Sequence, residues 1–223
     1  MKKIVVFLSA VSIFLVMAGP AMAVSFDATL TADNHYALFY GNENGVNFVG
    51  HNELGDEGST ANTYNWSEAE TWQFNADLGD YIYVAVWSDD AVAQGLIGEF
   101  VADTYSVLTN TSDWEVLITG LDKDGEPAPS AGDLEGLISG ATWSTGINSL
   151  DHGSDPWGQI AGIDVNADWI WGGALVGDAG VSDYQIFRTQ VTAAPVPEPA
   201  SMLLLGTGLT GLGIFGRRLR KKR

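Results

Sequence analysis

The chain has 223 residues, with ten Lys+Arg against 28 Asp+Glu and a formal net charge of −18, and its basic residues sit almost wholly at the two ends. Between residues 24 and 196 only Lys123 and Arg188 face 27 acids, net −25, so this region repels phosphate and excludes DNA, RNA and anionic lipid headgroups as partners. The absence of cysteine excludes disulfides, thiolate zinc sites and a cysteine nucleophile, while eight Trp, seven Tyr and nine Phe supply the core of one domain of about 170 residues.

Lys2 and Lys3 precede an apolar run over residues 4–18, a Gly19-Pro20 break and Ala21-Met22-Ala23. A basic start, a short apolar stretch and small residues at Ala21 and Ala23 predict a secretory signal peptide, residues 1–23, cut after Ala23 by signal peptidase. The run is short for a bilayer that needs about 20 residues. Beyond it, apolar segments at 26–30, 36–40, 47–49, 71–74, 81–87, 96–101, 115–119, 167–171 and 184–191 are separated by Gly, Asn and Asp. That is the pattern of strands and turns. Residues 81–87 are apolar at every position, which predicts a central strand covered on both faces. Only 67–71 and 132–139 suggest helical turns. The expected fold class is all-β: a β-sandwich or jelly roll over residues 24–192.

A Pro-rich linker, residues 193–199, ends in Pro197-Glu198-Pro199; residues 200–216 are apolar or small, and residues 217–223 hold six basic side chains. Seventeen residues at 1.5 Å each reach about 25 Å, which predicts a single short transmembrane helix. The basic tail keeps the terminus cytoplasmic and the acidic domain outside. Two G-x-G-x-x-G strings, at 206–211 and 211–216, lack the strand, the βαβ unit and the acidic residue of a dinucleotide site, and read as membrane-helix glycines.

Val196-Pro197-Glu198-Pro199, the Gly-rich apolar stretch and the terminal basic cluster resemble the PEP-CTERM sorting signal. The resemblance implies a Gram-negative bacterium that makes extracellular polysaccharide. It also implies an inner-membrane-anchored intermediate, processing near Pro197-Glu198-Pro199 by an exosortase-type enzyme, and delivery to the cell surface or extracellular matrix. Further upstream, Ala32-Asp33-Asn34-His35-Tyr36-Ala37-Leu38-Phe39-Tyr40-Gly41, Trp66 and the segments 78–86 and 95–100 resemble the galactose-binding-like jelly rolls attached to bacterial glycosidases such as rhamnosidases. Trp169-Ile170-Trp171 with Phe187-Arg188 is similar to a further pair of that group, where the pair lies upstream instead.

Candidate chemistry is sparse. Asp89-Asp90, at the end of the 81–87 segment, could pair as hydrolytic carboxylates but read as a solvated turn. His35, His51 and His152 are isolated, and residues 151–155 place Asp, His and Ser too close in sequence to converge as a triad. Asp122, Asp124 and Glu126 with Asp133 have EF-hand spacing, yet Pro127 holds the sixth place, where the loop must turn on Gly. A looser calcium site among loop carboxylates stays open, and no other cofactor is expected. Sugar binding is the best positive function, because a sugar's C–H face packs on an aromatic plane while Asp and Asn take its hydroxyls. Trp87, Trp169 and Trp171 are expected in the core. Trp66 with Asn65, Trp143 and Trp157 have polar neighbours and are the expected exposed ligand-binding residues. These features together predict a non-catalytic exported component that contacts extracellular polysaccharide; the alternative is an extracellular glycan-acting hydrolase.

Overall fold

The computed structural model describes residues 23–54, 66–89, 92–123, 127–177 and 184–192. The chain divides into two compact units, Met1–Thr192 and Ala193–Arg223. The second lies outside the described residues, as do the expected signal peptide up to residue 22, the Pro197-Glu198-Pro199 motif and the expected membrane helix. No described helix is long and apolar enough to cross a membrane.

The described residues of the first unit form eleven strands: β1 Ala23–Asp33, β2 His35–Asn42, β3 Gly45–His51, β4 Glu70–Asp77, β5 Tyr81–Trp87, β6 Gly95–Ala102, β7 Ser106–Leu108, β8 Glu115–Leu121, β9 Asn148–Asp151, β10 Asp168–Trp171 and β11 Tyr184–Gln190. Among the described residues a helix, α1, spans Ala131–Ile138. The strands form two antiparallel sheets, ordered β4-β1-β6-β10-β9 with β7 also on β6, and β3-β2-β5-β11-β8. Chain-adjacent β1 and β2, β3 and β4, and β5 and β6 lie in opposite sheets, so the connections between them cross the sandwich at its ends. This architecture fits a jelly-roll-like β-sandwich.

Alternation explains the layers. Along β1, Phe26, Ala28 and Leu30 point inward, while Thr29 and Asp27 face out and pair across the sheet with Thr71 and Gln73 of β4. On the inner side Phe74 stacks on Phe26 at 5.5 Å and on Tyr40 of the opposite sheet at 5.3 Å, closing the gap between the sheets. Strand β5 is covered on both faces, as its uninterrupted apolar run predicts. Ile82, Val84 and Val86 enter the inter-sheet core, and Tyr83, Ala85 and Trp87 lie in a second cluster with Leu134 and Ile138 of α1.

That second cluster is a third layer, which strand patterning did not reveal. Helix α1 falls on the expected helical turn at 132–139, shifted one residue toward the N-terminus, and Ser130 and Asp133 form a reciprocal capping box. Leu134 and Ile138, four apart, share the face turned to the sheet. Glu135 Oε1 accepts the Val46 N–H at 3.0 Å, which blocks part of the β3 edge against pairing with another chain. The 67–71 segment is not helical; it turns and enters β4 at Glu70. Strands β7 and β9, of three and four residues, have no apolar run to announce them.

Candidate functional site

Ala23 and Val191, near the two limits of the described sandwich, lie at one end of it. Ala23 pairs with Asp77, and Gly79 and Asp80 exchange backbone hydrogen bonds with Val191. The other end carries the β1–β2 crossing, the segment after β3, and the loop after β5. At this end the structure concentrates buried polar chemistry.

Asp33 closes β1 and is 6% exposed. Its Oδ2 accepts the Trp157 indole N–H at 2.7 Å, and the Trp157 ring stacks on Trp169 at 4.3 Å and 18°. Gly95 permits this packing, since a Cβ there would meet Trp169 at 3.0 Å and Trp157 at 3.7 Å. Burial pushes the Asp33 carboxyl up to about 7; the Trp157 bond opposes the shift and the charge of Asp89 adds to it.

A second cluster centres on Tyr36, which is fully buried. Its hydroxyl donates to Glu70 Oε2 and accepts the Trp72 indole N–H at 2.8 Å. Glu70 Oε1 accepts the backbone N–H groups of Glu53 and Leu54. Burial raises the Glu70 carboxyl although these three donors favour its ionised form. The tyrosine hydroxyl is raised as well, by burial first and then by the Glu70 charge. Trp72 reaches Tyr36 over Gly50, where a Cβ would approach the indole to 2.6 Å. Asn52 joins the two clusters: its Oδ1 accepts the Tyr36 N–H at 3.1 Å and its Nδ2 donates to the Asn34 carbonyl at 3.1 Å. Asn34 Oδ1 in turn accepts the Asp89 N–H at 2.9 Å.

The structure separates the sequence-predicted tryptophans. Trp87, Trp169 and Trp171 are core, as expected. Trp157 is a correction: it is 4% exposed, because its polar neighbours turn the backbone outward while the indole goes in, and it offers no free ring face. Trp143 is half-buried, and the Arg188 guanidinium lies 3.9 Å over its ring. The same guanidinium lies 4.4 Å from the Tyr81 ring centre and pairs with Glu115 at 2.8 Å. Trp66 is half-buried against the inter-sheet core, and its carbonyl accepts the Thr31 hydroxyl. Asn65 lies outside the described residues, as do Ala21, Asp90, Asp124 and Glu126. Ala23 opens β1.

Among the described residues the large aromatic that is exposed is Phe48, at 48%. It packs edge-on against Phe39 and lines, with His51 and residues 127–131, a groove of about 480 Å³ beside α1. His152 is a loop pin: its Nδ1 faces the Asp164 carbonyl at 3.0 Å and its Nε2 accepts the Ile160 N–H at 2.8 Å. No group of three or more His, Asp or Glu able to hold a metal occurs among the described residues.

Sequence reasoning missed Glu70 and Tyr36 as a unit. The signal was present in the strand period: alternation through Glu70, Trp72, Phe74 and Ala76 puts a carboxylate on an apolar face.

Residues 195–221 match the PEP-CTERM protein-sorting motif. The chain carries that sorting signal. The motif implies an exported protein, transiently held in the membrane and processed by an exosortase-type enzyme. No curated protein and no solved structure matches the chain.

Proposed function

We propose that the exported domain is a non-catalytic component of the cell surface or extracellular matrix that contacts polysaccharide. The PEP-CTERM motif at residues 195–221 carries the reading, since its resemblance group belongs to bacteria that coat themselves in polysaccharide. The state of the interior carboxyls supports it: Asp33 and Glu70 are both engaged by interior donors, rather than facing an open cleft as a glycosidase pair must. With Trp157 buried and Trp143 covered, Trp66 is the remaining candidate of the sequence-predicted set for stacking on a sugar ring.

Two measurements test this. Mass spectrometry of the surface or medium fraction should find an N-terminus at Val24 and no peptide containing Arg217 to Arg223; recovery of the basic tail on exported protein would defeat the sorting reading. A glycan array of the exported protein, with and without calcium, should show binding that Trp66→Ala weakens by about 1–3 kcal/mol, the worth of one stacked aromatic contact. Unchanged binding in that variant moves the contact elsewhere, with Phe48 the first alternative. Release of reducing sugar by the wild-type protein would replace the reading with a glycan-acting hydrolase.

A further inference from the structure

We propose that the loop between β9 and β10 is a pH-operated clip, seated by Trp157 while the Asp33 carboxyl is neutral and loosened when that carboxyl ionises. The inference stands apart from polysaccharide binding and rests on the geometry of the loop. Trp157 is its anchor, stacked on Trp169 and bonded through its indole N–H to Asp33. Gly153 at φ +97° and Gly158 at φ +67° flank the anchor, and both adopt backbone conformations that glycine visits freely in either direction. Ile160 and Ile163 are buried, and His152 ties the Ile160 N–H to the Asp164 carbonyl. Movement is therefore confined to the short stretch around Trp157.

The anchor's acceptor is poorly placed to carry charge. Among the described residues the indole is the one donor to the Asp33 carboxyl, whereas a buried carboxylate needs several donors or a cation. The titratable and charged groups on the elements packed about the loop and β1 are mostly of the wrong sign, and Asp89 is the one whose charge acts on Asp33. Asp89 lies on the segment after β5; Glu99 of β6 accepts the Asp164 N–H; Asp151 of β9 lies opposite Asp168 of β10; and Asp155 is in the loop itself. His35 of β2 packs on Trp87, and His152 is held as described. The two cations of the domain are engaged elsewhere, Lys123 over Tyr184 and Arg188 with Glu115. With Asp33 titrating near neutrality, ionisation leaves a buried charge that one indole bond does not offset, and release of the Trp157 segment admits the water that hydrates it.

Two indoles stacked at this distance couple as excitons, so the clip has its own optical signature in the circular dichroism of the mature exported protein. Titrated from pH 5 to 9, the couplet should fall with a midpoint at about 7, while the backbone signal is retained. Trp157→Phe should lack the couplet throughout, which assigns it. Asp33→Asn still offers the indole an acceptor oxygen and should keep the couplet across the range. Asp89→Asn removes the neighbouring charge and should move the midpoint down; it carries the test alone if the Asp33 variant does not fold. A couplet that ignores pH in the wild type, or one that titrates unchanged in both Asn variants, overturns the proposal.

Discussion

Replacing Glu70 by alanine is expected to cost the exported domain about 2–4 kcal/mol of unfolding free energy. The substitution orphans the Tyr36 hydroxyl as a donor in the fully buried interior, at about 1–3 kcal/mol. It also removes one packed methylene, worth roughly 0.8 kcal/mol. The Glu53 and Leu54 N–H groups lose their acceptor too, but both residues are exposed and can rehydrate. Against these losses stands a gain, because the carboxyl is raised by burial and its removal relieves that desolvation. Glu70→Gln tests the decomposition. Its amide oxygen can still accept from Tyr36, so it should cost much less than Ala. Equilibrium denaturation of both variants is the measurement, and an alanine variant within about 0.5 kcal/mol of wild type, the scatter of ordinary surface changes, would mean that the cluster is not a structural unit.

A second large effect is expected with pH. The domain should lose stability between pH 5 and 8, by at most about 3 kcal/mol from Asp33, the part that falls above pH 5 of the roughly 4 kcal/mol equivalent to raising a carboxyl from 3.8 to about 7. Below 3.8 the carboxyl is neutral whether folded or unfolded and contributes nothing. As pH rises from there, the unfolded chain gives up its proton while the folded one keeps it, so the unfolded state gains. Above 7 both are ionised and the penalty is complete. Burial of Glu70 and Asp168 acts in the same direction. Asp133 and Asp164 are lowered by hydrogen bonds to Ser130 and Asn166; their stabilisation is present above the unfolded value and is lost in acid, below this window. Denaturation across the window should therefore slope downward, and Asp33→Asn should flatten most of the slope while raising stability at pH 8. Stability that holds level or climbs from pH 5 to 8 would show that Asp33 is hydrated in the folded protein.

The amino-acid sequence by itself determined the sandwich. Each of the nine apolar segments became a strand, residues 81–87 to the residue, because alternation along a strand is a local property that burial of one sheet face enforces. It determined the sorting signal as well, since Pro197-Glu198-Pro199, the apolar stretch and the basic end are read in linear order and need no fold to be recognised. Trp87, Trp169 and Trp171 were core as the strand pattern expects, but tertiary structure alone decided the cover over Trp157 and Trp143. Trp157 has Pro156 and Gly158 as neighbours and reads as a surface residue, yet Asp33, 124 positions away, supplies the acceptor that lets its indole go inside. Trp143 is capped by an arginine from β11. The third layer over β5 was likewise decided by packing: a two-turn helix leaves a weak periodic trace, and only the apolar outer face of the sheet, Tyr83, Ala85, Trp87 and Ile186, gives Leu134 and Ile138 somewhere to bury. A partner that is distant in the chain leaves no mark on the local pattern, which is why the strands, and even the inward place of Glu70, were legible in the sequence while the partners of the buried carboxyls were not.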